Sequence, residues 1–127
     1  MSDLRTPLAR ARGLGSAREG VKHWWAQRLT AIALIPLVVW FAISLVMLSG
    51  ADYDIARAWT GSPLVMVLLI LTIVIGLHHG QLGLQVVIED YVHAPAVKTA
   101  SLFANTWTMA ILGLSSILAV LRLYLGV

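Results

Sequence analysis

Three stretches without a charged side chain dominate this chain: residues 29–51, 58–88 and 99–121, of 23, 31 and 23 residues. Each exceeds the roughly 20 apolar residues that an α-helix needs to cross a bilayer, whereas a barrel strand needs only about 10. Hydrocarbon offers no water to backbone N–H and C=O groups, so runs of this length are predicted to close their own hydrogen bonds as helices. The fold class is therefore all-α and integral to a membrane, with three transmembrane helices. Composition agrees, since 59% of the 127 residues are hydrophobic and only 12% are charged, against about 25% charged in an ordinary soluble domain.

Helix punctuation places the spans at about 24–50, 63–91 and 98–125, behind an amino-terminal segment at 1–22. Ser62 is positioned to cap the second helix and Pro63 suits its first turn. Pro95 disfavours helix at Ala94 and so ends it. Pro36, inside the first span, predicts a kink or a locally opened backbone. Residues 1–20, rich in Arg, Gly, Ser and Ala, read as flexible or as an arm lying on a partner. Their length and the acids Asp3 and Glu19 do not fit a secretory leader, and no cleavage is expected. The connection carrying Asp52, Asp54, Arg57 and Trp59 reads as surface chemistry only.

Basic residues orient the chain. Arg5, Arg10, Arg12, Arg18, Lys22 and Arg28 precede the first span and Lys98 follows the second, while only Arg57 and Arg122 fall on the other side. Seven against two puts the amino terminus in the cytoplasm. Arg122 and Tyr124 then anchor the third helix at the outer interface. The net charge of +3 reflects this topology, and nothing in it points to nucleic acid. With no cysteine, the chain holds neither a disulfide nor an iron–sulfur cluster, so any such chemistry belongs to a partner.

The second span carries the adjacent imidazoles His78 and His79. On a helix, Gly76, Gly83 and Asp90 share the face of His79, because eleven residues exceed whole turns by only about 20°. The eleven residues from His79 to Asp90 span about 16 Å, which sets His79 near mid-bilayer. A polar group at that depth is a functional site by default. Glycines one turn above and below an imidazole leave flat space for a planar macrocycle such as haem. Gly76, Gly80 and Gly83 can equally serve only to let helices approach closely while histidines bond across them, so both readings stand. His78 points to another face and is read as an interhelical hydrogen-bonding neighbour.

Where this helix reaches the cytoplasmic surface, Glu89, Asp90 and Tyr91 gather two acids and a phenol. Such a phenol can donate to a quinone carbonyl with a carboxylate assisting protonation, or simply anchor the helix at the interface. "KHWWAQR" at 22–28 sets Lys22, His23 and Arg28 around two belt tryptophans. Arg28 either snorkels to headgroups or pairs with a buried anion such as a haem propionate. His93 lies beyond the helix end and receives no role.

"HGQLGLQVVIEDYVH" at 79–93, with glycine four residues after His79 and "DY" eleven and twelve after it, resembles a known family. With three spans and a cytoplasmic amino terminus, the chain looks like a hydrophobic membrane-anchor subunit of succinate dehydrogenase, the D-type subunit of succinate:quinone oxidoreductase, respiratory complex II. The resemblance implies that His79 is an axial ligand of haem b, shared with a companion cytochrome b subunit that supplies the other histidine. It implies that Tyr91, with Asp90 beside it, contacts ubiquinone, and that Arg28 and His23 lie toward the haem propionates. FAD and iron–sulfur clusters would sit on a flavoprotein and an iron–sulfur partner, with this chain non-catalytic for succinate by itself. The setting implied is the bacterial inner membrane, serving the tricarboxylic acid cycle and respiratory chain. A fumarate reductase anchor and a scaffold with interhelical histidines are the alternatives.

Overall fold

The computed structural model describes residues 6–12 and 18–126, which form five helices and no strand among them. These are α1 (Pro7–Ala11), α2 (Arg18–Met47), α3 (Tyr53–Thr60), α4 (Pro63–Tyr91) and α5 (Pro95–Leu125). Three of them, over Gly20–Met47, Pro63–Tyr91 and Pro95–Leu125, are long and apolar enough to cross a membrane, as the charge-free runs predict. The expected amino-terminal arm is helical at Pro7–Ala11. Its residues 1–5 and 13–17, with Asp3 and Arg5, lie outside the described residues.

Helix ends depart from the sequence expectation for identifiable reasons. α2 starts at Arg18, ahead of residue 24, because Val21, Lys22 and His23 continue a helix outside hydrocarbon as readily as inside it. Loss of charge marks the membrane edge, and the helix does not have to start there. α5 starts at Pro95, where the proline ring is preorganised for a first helical turn. Ala94 before it is extended, at φ −70° and ψ 118°, as the residue preceding a proline should be. Ser62 occupies the N-cap of α4 but makes no side-chain cap, and its carbonyl instead accepts from Met66 N at 2.9 Å. α2 continues through Pro36 without interruption.

The connection read as surface chemistry is mostly a helix, α3. Asp52 caps it by accepting from Ile55 N at 2.9 Å, and Gly61 closes it by donating to Arg57 O. Eight residues fall below the roughly 12 to 15 at which a lone helix becomes marginal in water, so α3 depends on its packing. Trp59 supplies that packing by stacking on Trp40 of α2, with ring centroids 5.9 Å apart and planes 19° from parallel. At its other side Arg57 donates to Gly126 O, 3.3 Å away at the end of α5. Gly50, at φ 84°, makes the turn between α2 and α3 in a left-handed conformation that glycine adopts freely.

α4 stands in the middle. It packs against α2 on one side and α5 on the other, and no Cα of α2 comes within 8 Å of one of α5 among the described residues. A row of three helices encloses almost nothing, and only Ser44, Leu82 and Val120 are buried among the described residues. Long apolar side chains such as Val46, Met47, Phe103 and Ile111 face outward, which suits lipid or neighbouring helices and not water.

Removal of one aromatic ring should release α3 alone. In Trp59→Ala, amide exchange over residues 53–60 should accelerate by about tenfold, the equivalent of an aromatic pair of roughly 1.5 kcal/mol, with the three long helices unchanged. Hydrogen–deuterium exchange read by mass spectrometry checks this.

Candidate functional site

His79 sits on α4 twelve residues before its last residue, Tyr91, or about 18 Å along the axis. Its ring turns toward α2 and is half-buried there. His79 Nδ1 lies 2.9 Å from Thr30 Oγ1, and His79 Nε2 lies 3.4 Å from Gln27 Nε2. The two contacts agree on where the ring proton resides. Thr30 Oγ1 is 2.7 Å from Ala26 O and 3.1 Å from Gln27 O, both pure acceptors, so the hydroxyl proton goes to a carbonyl. Its oxygen is then left to accept from His79 Nδ1–H. The glutamine amide nitrogen can only donate, which makes His79 Nε2 an acceptor and gives the same tautomer.

A helical stripe on α2 faces this ring. His23, Gln27 and Thr30 are four and three residues apart, hence on one face. His23 Nε2 and Gln27 Oε1 are buried without a hydrogen-bond partner among the described residues. Beyond Thr30 the stripe turns apolar, and His79 shares an open groove of about 370 Å³ with Ala31, Leu34, Ile35, Val38 and Val39.

The glycines divide differently from the expectation. A Cβ at Gly83 would stand 3.6 Å from Gln27 Nε2, and one at Gly76 would stand 3.8 Å from Leu34 Cδ2. Both glycines therefore face α2, whose side chains fill the flat space expected beside them. The open side is at Gly80, where an added Cβ would meet nothing within 4 Å. The ligand chemistry of haem fits these residues: one imidazole nitrogen is left to act as a ligand, its only protein contact there is a long one to a flexible amide, and the residue borders the open groove.

The interhelical role assigned to His78 is corrected. His78 is exposed, lines a groove between α4 and α5 with Leu77, Gln81 and Thr106, and makes no hydrogen bond with a described residue. It is rotated about 100° from His79, toward α5, where Gln81, Asn105 and Thr106 bond to one another and Asn105 Oδ1 stays buried without a partner among the described residues. Asn105 Nδ2 donates to Gln81 O at 3.0 Å, and Gln81 Nε2 donates to Thr106 Oγ1 at 3.3 Å. The histidine that joins helices is His79.

The remaining expected residues stand apart from this group. Arg28 is exposed and lays its guanidinium over the Trp24 ring, 3.7 Å from the centroid, one step around α2 from Gln27. Tyr91 is 77% exposed at the end of α4, and Asp90 is exposed beside it. Neither hydrogen-bonds to a described residue, whereas Glu89 accepts from Gln85 Nε2 at 2.8 Å and gives its carbonyl to Lys98 Nζ at 2.7 Å. Lys98 thereby fixes the turn from α4 to α5 and leaves the Asp90 carboxylate and the Tyr91 phenol presented outward. Sequence reasoning missed Thr30 and Gln27, although their spacing from His23 on one helical face was available as a signal.

Residues 2–120 match the family described as succinate dehydrogenase/fumarate reductase transmembrane subunit. The chain is 31% identical over 121 residues to the succinate dehydrogenase hydrophobic membrane anchor subunit of Paracoccus denitrificans, covering 95% of this chain and 93% of that one. It is 37% identical over 91 residues to the same-named subunit of Rickettsia conorii, covering 71% and 72% of the two chains. With that of Rickettsia bellii it shares 31% identity over 102 residues, or 80% and 82%. Matched along nearly its whole length and built on three helices able to cross a membrane, the chain belongs to the succinate dehydrogenase/fumarate reductase transmembrane subunit family.

Proposed function

We propose that this chain is the hydrophobic membrane anchor of a bacterial succinate dehydrogenase, holding one side of haem b and one wall of the ubiquinone site. The observation that carries the haem reading is His79, a half-buried imidazole within α4 whose Nδ1 lies 2.9 Å from Thr30 Oγ1 and whose Nε2 has only a long contact, 3.4 Å to Gln27 Nε2. His79 would be one axial ligand, and a companion cytochrome b subunit would give the other. Haem, when bound, supplies a one-electron carrier within the membrane. His23 and Arg28, on the first turns of α2 before its apolar run, are the residues of this chain that would meet the propionates.

Asp90 and Tyr91 would face the quinone. Reduction of a quinone to a quinol takes up two electrons and two protons. The Tyr91 phenol can donate a hydrogen bond to a quinone carbonyl, and the Asp90 carboxylate can pass a proton to the reduced oxygen from the aqueous side. Both groups are exposed at a helix end and hold no partner among the described residues, which leaves them available for this contact. Electrons would arrive from succinate through FAD and iron–sulfur clusters on two further subunits, a role that the cysteine-free sequence leaves to them. Docking of those subunits at Tyr91 accords with a cytoplasmic amino terminus, since α2 and α4 run in opposite directions. The relatives' shared name favours succinate oxidation over the fumarate reduction that the family also includes.

A second reading rests on the same hydrogen bonds: His79 serves only to join α2 and α4. The reduced-minus-oxidised spectrum of the assembled complex separates the two. His79→Ala should abolish the six-coordinate haem b signal, and a fully assembled wild-type complex without haem would establish the scaffold reading. Tyr91→Phe should lower quinone reduction by about tenfold, the equivalent of one hydrogen bond of about 1.5 kcal/mol, with succinate oxidation by a soluble acceptor retained. Parallel assays with quinone and with the soluble acceptor measure this, and equal losses in both would argue against quinone contact.

A further inference from the structure

We infer that Thr30 is a positioning residue for haem b, holding the His79 ring in the orientation and tautomer that present Nε2 to iron; this rests on the haem reading above. Thr30 is tied at both ends. Its hydroxyl proton goes back to the α2 backbone at Ala26 O, 2.7 Å away, and its oxygen faces His79 Nδ1 at 2.9 Å. A chain of hydrogen bonds thus runs from the His79 imidazole on α4 into the main chain of α2. The Ala26 carbonyl draws the hydroxyl proton, which makes Oγ1 a better acceptor for Nδ1–H.

The arrangement answers a need that the apolar surroundings create. An imidazole on a single Cβ can rotate, and either nitrogen can carry its proton, so an unpartnered ring would present the wrong nitrogen part of the time. Half-buried between α2 and α4, the ring depends on protein groups to hold it. Threonine suits the task because its branched Cβ restricts χ1 in a helix while its hydroxyl bonds back to the preceding turn. Gln27, one turn earlier, contacts the other nitrogen only weakly, at 3.4 Å, and its carbonyl oxygen is buried without a partner. It marks Nε2 as the nitrogen whose contact is easily displaced. Acceptance of the Nδ1 proton also raises the basicity of the ligand, which favours ferric over ferrous iron and lowers the haem potential.

The test uses the whole complex, purified with its partner subunits, carrying wild-type Thr30, Thr30→Val or Thr30→Ser. Valine keeps the shape without the hydroxyl, and serine keeps the hydroxyl. Three properties are read: haem content per complex, haem midpoint potential by spectroelectrochemical titration, and the low-temperature electron paramagnetic resonance of the ferric haem. Thr30→Val should weaken haem retention by about 10- to 100-fold, raise the potential and broaden or shift the ferric signal. Thr30→Ser should restore all three toward wild type. A Thr30→Val complex with wild-type haem content, potential and resonance overturns the role of Thr30 while leaving the haem reading intact. A wild-type complex without haem overturns both. If Thr30→Val does not assemble, Thr30→Ala is read by the same measurements and decided by the same outcomes.

Discussion

The bridge from His79 to Thr30 is the contact around which this chain is organised. In water such a hydrogen bond competes with solvent and contributes little, but between helices in hydrocarbon His79 Nδ1 has no other partner among the described residues. Measured interhelical bonds of this kind are worth about 0.6 kcal/mol on average, so the bridge alone does not hold α2 to α4. Its effect is on register. A slide of one helix past the other by a single residue would leave Nδ1 unsatisfied, and Gly76 and Gly83 would lose their seats against Leu34 and Gln27. The glycines permit the approach, and the polar pair selects which approach is adopted.

The other face of α4 uses the same device with different residues. Gln81, two residues beyond His79, receives Asn105 on its carbonyl and reaches Thr106 with its amide. α4 is thus pinned to both neighbours at nearly one depth. Apart from the bond of Lys98 to the Glu89 carbonyl at its end, the rest of its length packs mainly through apolar side chains. This concentration of polarity explains why three helices with almost no buried core can hold a defined arrangement: each interface carries a few directional contacts within a largely nonspecific apolar surface. The outward apolar faces of α2 and α5 are then left for lipid and for neighbouring subunits.

The two ends of α4 differ in kind as a result. Its middle is turned to neighbours, with both imidazole nitrogens in contact and Gly76 and Gly83 packed against α2. Its cytoplasmic-side end, as proposed, is held open. Lys98 donates to the Glu89 backbone carbonyl and Gln85 to the Glu89 carboxylate, so the acid nearest the helix body is engaged by local bonding. Asp90 and Tyr91 receive no such bond among the described residues and keep their donor and acceptor capacity. A helix that ends in this way is suited to meet a ligand or a partner at the membrane surface.

Much of this molecule was legible in its sequence, because a bilayer leaves a chain few options. Length without charge sufficed for three helices, proline at 63 located the start of the second and proline at 95 its end, and the spacing from His79 to Asp90 and Tyr91 carried the family resemblance. Two kinds of feature were not legible. α3 is too short to signal itself and exists through the stacking of Trp59 on Trp40, residues on different helices. Likewise, which face of α4 meets which neighbour depends on the packing of all three helices, and that decided that Gly76 and Gly83 face α2 while the open space lies at Gly80. The same packing made His79, and not His78, the bridging histidine, and brought Thr30 and Gln27 to its two nitrogens. Local chemistry and hydrophobic length are properties of a segment and can be read along it. Pairing across 49 and 52 residues of chain is a property of the assembled layer, where the geometry of close approach chooses among partners that the segments leave equally possible.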